Sequence, residues 1–340
     1  MFKKKAEPAG ELALIEQIRR TFPVGRTNAV TLGIGDDCAI LRPPDGHEVV
    51  VTTDFTLENR HFRRDLHPAS SVGHRCLARG LSDIASMGAK PLAAFLSIAL
   101  PGTMLTTARG RQWMAEFFAG MRSLARRHNT PLAGGDTSQS PDDLILADII
   151  LIGAAPPGRS LRRSGARAGD LLYVTGSLGG AHTELTALLK TKRRSQARSS
   201  EVHPHLFPQP RLSVGAYLLH HRLATAAIDL SDGLSTDLTH LCESSRVRAE
   251  VDAGALPLHP LTSRLDPQQA MHAALNGGED YELLFAADHG TAIPRRIAGV
   301  PVTRIGTLLP RNARKPLLTL STPDGSSVPL RAAGWEHFVS

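Results

Sequence analysis

The chain has few cysteines, few aromatic residues and no long apolar run. Cys38, Cys76 and Cys242 are the only 3 cysteines in 340 residues, odd in number and in no CxxC arrangement. That usage argues against a disulfide framework or a zinc site and for reduced cysteines used in packing. Aromatic residues make up 4% of the chain, which leaves few rings to stack on bases. The run Lys190-Thr-Lys-Arg-Arg194 with Arg198 therefore reads as a solvated loop rather than a nucleic-acid surface, despite a formal charge of +7. No stretch approaches the roughly 20 apolar residues a membrane span needs. Met1-Phe-Lys-Lys-Lys5 is basic but no apolar segment follows it, so it is not a secretory signal. A cytoplasmic protein with neither membrane nor nucleic-acid partner is expected. The chain also lacks GxxxxGK[ST], a kinase-type glycine loop with HRD, HExxH and GxSxG.

What is present is a series of acidic turns. Thr31-Leu-Gly-Ile-Gly-Asp-Asp-Cys-Ala-Ile40 delivers two adjacent carboxylates after a glycine turn. Thr52-Thr-Asp54, Leu81-Ser-Asp83, Gly134-Gly-Asp136 and Asp229-Leu-Ser-Asp232 follow. Adjacent carboxylates repel, burial raises the cost of keeping both charged, and a divalent cation removes it. Phosphoryl transfer asks for such oxygen ligands, because magnesium prefers oxygen and glycine lets backbone approach phosphate closely. The turns read as one oxygen-rich site for metal ions and phosphates, assembled from distant pieces of chain.

At 340 residues with 41% hydrophobic content, two globular α/β domains are expected. The boundary falls in the Pro/Gly/Arg-rich stretch 154–169, giving domains 1–155 and 156–340. Glu11–Arg20 reads as a short amphipathic helix, and Glu48–Thr53 as a buried strand ending at Asp54. A helix after Pro68, capped by Ser70 or Ser71, runs to Gly88 and carries Asp83. Met114, Phe117, Phe118, Met121 and Leu124 mark a 3.6-period helix core, and Trp113 fits either that core or an adenine face. Pro131–Ala133 is a short strand feeding the Gly134 turn. In the second half Ala226–Asp229 is a strand, Asp232 can N-cap the helix that follows, and Gly277-Gly-Glu-Asp280 precedes a strand from Tyr281. Both halves use helix, Gly-Gly-acid, strand.

Seven motifs occur in order: Gly33-Ile-Gly-Asp-Asp37; Thr52-Thr-Asp54 with His61-Phe62; Leu81-Ser-Asp-Ile-Ala-Ser-Met-Gly88; Gly134-Gly-Asp-Thr137; Arg163-Ser-Gly165; Ile228-Asp-Leu-Ser-Asp-Gly233; and Gly277-Gly-Glu-Asp-Tyr-Glu282. With the terminal Gly334-Trp-Glu-His-Phe338, this series resembles the thiamine-monophosphate kinase family over nearly the whole chain. The wider superfamily contains aminoimidazole ribonucleotide synthetase, selenophosphate synthetase and a hydrogenase-maturation dehydratase. The resemblance implies a two-domain aminoimidazole ribonucleotide synthetase-like fold, with an N-terminal ATP-binding and dimerisation domain and a C-terminal α/β domain. It implies ATP and thiamine monophosphate as substrates, magnesium as cofactor, a homodimer, and direct in-line transfer giving thiamine diphosphate. Carried over residue by residue, Asp36, Thr52, Thr53, Asp54, Asp83, Asp136, Asp229 and Asp232 bind magnesium, and Asp37 either joins them or holds the turn. Asp36, Asp54, Asp136 and Asp232 carry the catalytic role. Gly135, Asp136, Arg163 and Ser231 contact ATP, while His61, Glu279 and Trp335 contact thiamine monophosphate. Asn59-Arg60 departs from the family's small residues. Two alternatives stand beside this: a sister synthetase or dehydratase, and an inactive nucleotide-binding regulator.

Overall fold

The computed structural model describes residues 11–23, 29–199, 201–322 and 324–336; the motif residues His337 and Phe338 lie outside them. Two compact units divide the chain. The first holds residues 1–80, 91–154 and 193–201, and the second holds 81–90, 155–192 and 202–340.

The first unit contains α1 (Glu11–Thr21), the hairpin strands β1 (Val30–Leu32) and β2 (Ile40–Leu41), β3 (Glu48–Leu57), and most of α2 (Ala69–Ser86). β4 (Lys90–Leu100), α3 (Thr103–Thr106), α4 (Ala108–Arg127), β5 (Leu132–Gln139) and β6 (Leu146–Ala155) follow. Four of these strands form one sheet in the order β3-β6-β4-β5. Alternation along β4 and β6 buries Leu96, Ile98, Leu100, Ala147, Ile149 and Leu151. α4 packs Met114, Phe117, Phe118, Met121 and Leu124 into the core at helical spacing. Trp113 is core as well, stacked on Phe117 at 5.5 Å and on Phe62 at 6.3 Å.

Several elements differ from the sequence expectation. β3 is not a buried strand: Val49 is 50%, Val51 64% and Phe55 60% exposed, so one of its faces is open. α2 starts one residue after Pro68, whose carbonyl accepts Ser71 and Val72 N–H. Ser70 and Ser71 therefore lie inside the helix rather than capping it. Gly134-Gly-Asp136 is not a turn but lies within β5, parallel to β4 with Leu96 opposite Gly135. The basic segment is exposed, as expected, but also anchored, with Ser195 N–H on the Leu66 carbonyl at 2.9 Å and Arg194 3.5 Å from Glu116.

In the second unit, β7 (Leu171–Thr175), α5 (Gly180–Thr191), α6 (Leu212–His220), β8 (Ala226–Asp229) and α7 (Leu234–Ser245) come first. β9 (Val247–Asp252), α8 (Pro267–Asn276), β10 (Leu283–Ala287), β11 (Arg296–Ile297), β12 (Val300–Pro310), β13 (Leu318–Ser321) and β14 (Ser327–Leu330) complete it. The sheet order is β14-β13-β9-β12-β7-β10-β8, with β11 added on β12. Leu234, Leu238 and Leu241 of α7 enter a core with Leu172, Val174, Ile228 and Leu284. Asp232 does not cap α7: Asp237 accepts the N–H groups of Asp232 and Gly233, each at 3.1 Å.

Candidate active site

In the first unit the Gly33–Asp37 loop joins β1 to β2. Gly35 sits at φ 132°, and Asp37 N–H donates to Asp36 Oδ1 at 2.8 Å. The neighbouring wall is β5. At Gly135, φ is 142° and a Cβ would stand 1.9 Å from the Leu96 carbonyl oxygen, so no side chain fits there. Loop and strand together line a cavity of about 810 Å³ with Asp36, Asp37, Gly135, Asp136 and Thr137 on its wall. α1 reaches the same wall, where Thr137 Oγ1 donates to Glu11 at 3.1 Å.

Asp54 does not line that cavity. Alternation along β3 turns Thr52 and Asp54 toward α2, where Arg79 lies 3.7 Å from Asp54 Oδ1. Thr53 faces the opposite way and donates to Asp148 Oδ1 at 2.6 Å. Of the three predicted oxygen ligands on β3, the strand thus brings two together and sets Thr53 apart. His61 Nδ1 accepts Leu57 N–H at 2.9 Å, which leaves the ring proton on Nε2. The His61 carbonyl accepts Arg75 at 2.7 Å.

In the second unit two turns are laced together at the sheet's end. Glu279 N–H donates to the Ser231 carbonyl, Tyr281 N–H to Leu230, and Leu230 N–H to Glu282, at 2.8–2.9 Å. Asp229 ends β8, buried, and accepts Ser82 Oγ at 2.6 Å. Burial, with Asp229 and Asp232 nearby, pushes the Asp237 carboxyl up to about 8. The tail joins the same turn: Trp335 N–H donates to the Asp232 carbonyl at 2.9 Å, and the indole is 47% exposed. Ser231, Asp232, Glu279 and Trp335 are thereby gathered, and Asp83 follows Ser82 on α2. Arg163 stands apart on an exposed turn, its carbonyl accepting Ser245 Oγ at 2.8 Å.

Among the described residues no three carboxylate, imidazole or thiol groups converge into a complete metal shell. Magnesium does not require one, because it keeps several waters and uses one or two carboxylates beside substrate phosphates. The donor set fits that mode, with oxygen ligands on the cavity wall and mutually repelling carboxylates at Asp229, Asp232 and Asp237 that a cation would relieve.

Four relevant residues were missed in the sequence: Arg79, Asp148, Asp237 and Ser82. Asp148 had a signal, a carboxylate interrupting the apolar run 144–152. Asp237 had one too, an acid in the first turn of a helix following two others.

Two family models match the chain: AIR synthase related protein, N-terminal domain, over residues 35–155, and its C-terminal domain over 167–314. The thiamine-monophosphate kinase of Escherichia coli K12 is 35% identical over 338 residues, covering 97% of this chain and 99% of that protein. The chain belongs to the thiamine-monophosphate kinase family. A crystal structure of the family from Stenotrophomonas maltophilia K279a superposes with a TM-score of 0.77 at 34% identity, covering 94% of this chain and 98% of that one. AaThiL complexed with AMPPCP and TMP superposes at 0.71 with 25% identity, covering 99% and 100%. The family's two-domain α/β fold is thus the fold of this chain.

Proposed function

We propose that the chain transfers the γ-phosphoryl group of ATP to thiamine monophosphate, giving ADP and thiamine diphosphate. The observation that carries this reading is the 35% identity to the Escherichia coli kinase across 97% of the chain. The acceptor is a phosphate oxygen, already ionised at neutral pH, so the protein's task is to position two anions and offset their charge.

Each residue role follows from that task. Asp36 and Asp136 on the cavity wall, and Asp54 with Thr52 on the α2 side of β3, would hold magnesium in the first unit. Asp83, Asp229 and Asp232 would hold it in the second, whereas Thr53, turned away and bound to Asp148, would not. Bound magnesium supplies the positive charge that the phosphates need. Asp36, Asp54, Asp136 and Asp232 are the carboxylates on which turnover depends. Gly135 offers backbone N–H where no side chain fits, and Ser231 and Arg163 contact ATP. His61 lies at the substrate edge, Glu279 faces the substrate's cationic part, and the Trp335 indole lies against the thiazolium.

Residues 1–155 form the ATP-binding, magnesium-binding and dimerisation domain, and 156–340 contribute Asp229, Ser231, Asp232 and Glu279. A homodimer is supported by the open apolar face of β3, which a second copy would cover. No described helix is long and apolar enough to cross a membrane, in keeping with a cytoplasmic enzyme. Chromatography of a reaction containing ATP, magnesium and thiamine monophosphate tests the reading: thiamine diphosphate must appear, and its absence overturns it.

A further inference from the structure

The chain between α5 and α6 contains the basic run, and nothing so far gives its C-terminal part a task. That part is well anchored. Glu184 of α5 accepts His205 N–H at 2.8 Å and Leu206 N–H at 3.3 Å, and its other oxygen lies 2.5 Å from His203 Nδ1. Phe207 N–H closes a turn on the His203 carbonyl at 2.9 Å. This clamp fixes His205, whose side chain is 1% exposed, with Nδ1 3.0 Å from Glu279 Oε2.

Glu279 sits in an unusual place. Its φ is 68°, a left-handed conformation that a non-glycine residue adopts only when its surroundings hold it. The other carboxylates of this turn have structural partners. Asp280 accepts Gly179 N–H at 2.7 Å and Ala181 N–H at 3.1 Å. Glu282 is bound by Arg211 and accepts Thr175 Oγ1 at 2.6 Å. The Glu279 side chain stays 20% exposed, with the buried imidazole behind it.

We propose that His205 is a positioning residue that orients the Glu279 carboxylate toward the cationic part of the substrate. This rests on the thiamine-monophosphate reading of Glu279. A glutamate carries three side-chain torsions, and an exposed one spreads over many rotamers. A buried donor fixed by Glu184 narrows that spread before substrate arrives, so its benefit falls on substrate binding rather than on the transfer step.

The test is steady-state kinetics of the full chain with magnesium and ATP. Loss of the close imidazole contact with a charged group predicts that His205→Leu raises KM for thiamine monophosphate by about 10- to 100-fold. KM for ATP and kcat stay near wild type. His205→Asn places an amide nitrogen where Nδ1 lies and keeps KM close to wild type. In a Glu279→Gln background, His205→Leu adds no further rise, a non-additivity that a merely structural role would not produce. If His205→Leu fails to fold, His205→Gln replaces it, since its amide falls at the Nε2 position and also loses the contact. An unchanged KM in His205→Leu, equal effects of Leu and Asn, or additive effects with Glu279→Gln each overturn the proposal. Those outcomes are read in a wild type that makes thiamine diphosphate; a wild type that makes none overturns the kinase reading itself.

Discussion

Asp136 and Asp280 are both carboxylates beside glycine pairs, yet their surroundings give them different tasks. Asp136 is exposed on the cavity wall and donates nothing to packing, so Asp136→Asn should leave the melting temperature unchanged to within about 2 °C. Turnover should fall by about 100- to 1,000-fold or more, the scale seen when one preorganised electrostatic group is lost. Near-normal turnover would remove the metal assignment. Asp280 instead sits under α5, where burial outweighs its backbone hydrogen bonds and pushes the carboxyl up to about 7. Unfolded, the same group releases its proton near pH 4. Between about pH 4 and 7 the folded state holds the extra proton, so raising pH across that window removes stability, by at most about 1.4 kcal/mol per unit. Asp280→Asn should flatten the dependence of melting temperature on pH in that window, and an unchanged slope would contradict it. The cysteines divide similarly: burial pushes Cys76 and Cys242 up to about 12, while Cys38 is exposed. One fast-reacting thiol is expected in the native protein, lost in Cys38→Ser. At this scale the Gly33-Ile-Gly-Asp-Asp37 loop was legible because glycine and acid lie side by side in sequence. Thr52-Thr-Asp54, Leu81-Ser-Asp83 and Gly134-Gly-Asp136, also read as turns, lie instead within β3, α2 and β5. Their partners were not legible either, since Thr53 with Asp148 and Asp54 with Arg79 meet only after the strands and helix assemble.

α2 and α4 show what periodicity reveals and what it hides. The spacing of Met114 to Leu124 marks α4 directly, because a helix must present one apolar stripe to its neighbour. The glycines that allow the approach carry no such signal. A Cβ at Gly73 would lie 1.9 Å from the Phe117 carbonyl oxygen, and one at Gly120 would lie 1.8 Å from that of Ser70. Gly→Ala in an exposed helix stabilises by about 1 kcal/mol. Here Gly120→Ala should instead destabilise by about 1–3 kcal/mol as the helices are forced apart, a difference that denaturant unfolding resolves. A gain in stability would contradict the close crossing. β5 is the opposite lesson. Gly134-Gly-Asp136 invites a turn, yet the strand runs through it, because glycine there answers the proximity of Leu96 rather than a reversal of direction. Asp232 likewise has the chemistry of an N-cap, but Asp237, further along the chain, takes the two N–H groups once α7 has formed.

For the whole molecule, the order of motifs along the chain was enough to give the family, and with it the two-domain plan. The open face of β3 was not legible, since Val49 and Val51 fell in a stretch read as a buried strand and Phe55 lay beyond the end given to it. Large apolar side chains left in water on a sheet face mark a surface for association. On the proposed homodimer, Phe55→Asp should therefore shift the protein to monomer in light scattering, with the melting temperature of the isolated chain little changed; a persisting dimer would place the interface elsewhere. The central claim, the acceptor of the phosphoryl group, is tested most directly by ADP release. ATP and magnesium are supplied with thiamine monophosphate, with thiamine, with an aminoimidazole-pathway precursor, or with no acceptor. Release with thiamine monophosphate alone, matched mole for mole by thiamine diphosphate, is the expected result. Release with the aminoimidazole precursor instead, or with no acceptor at all, would contradict it.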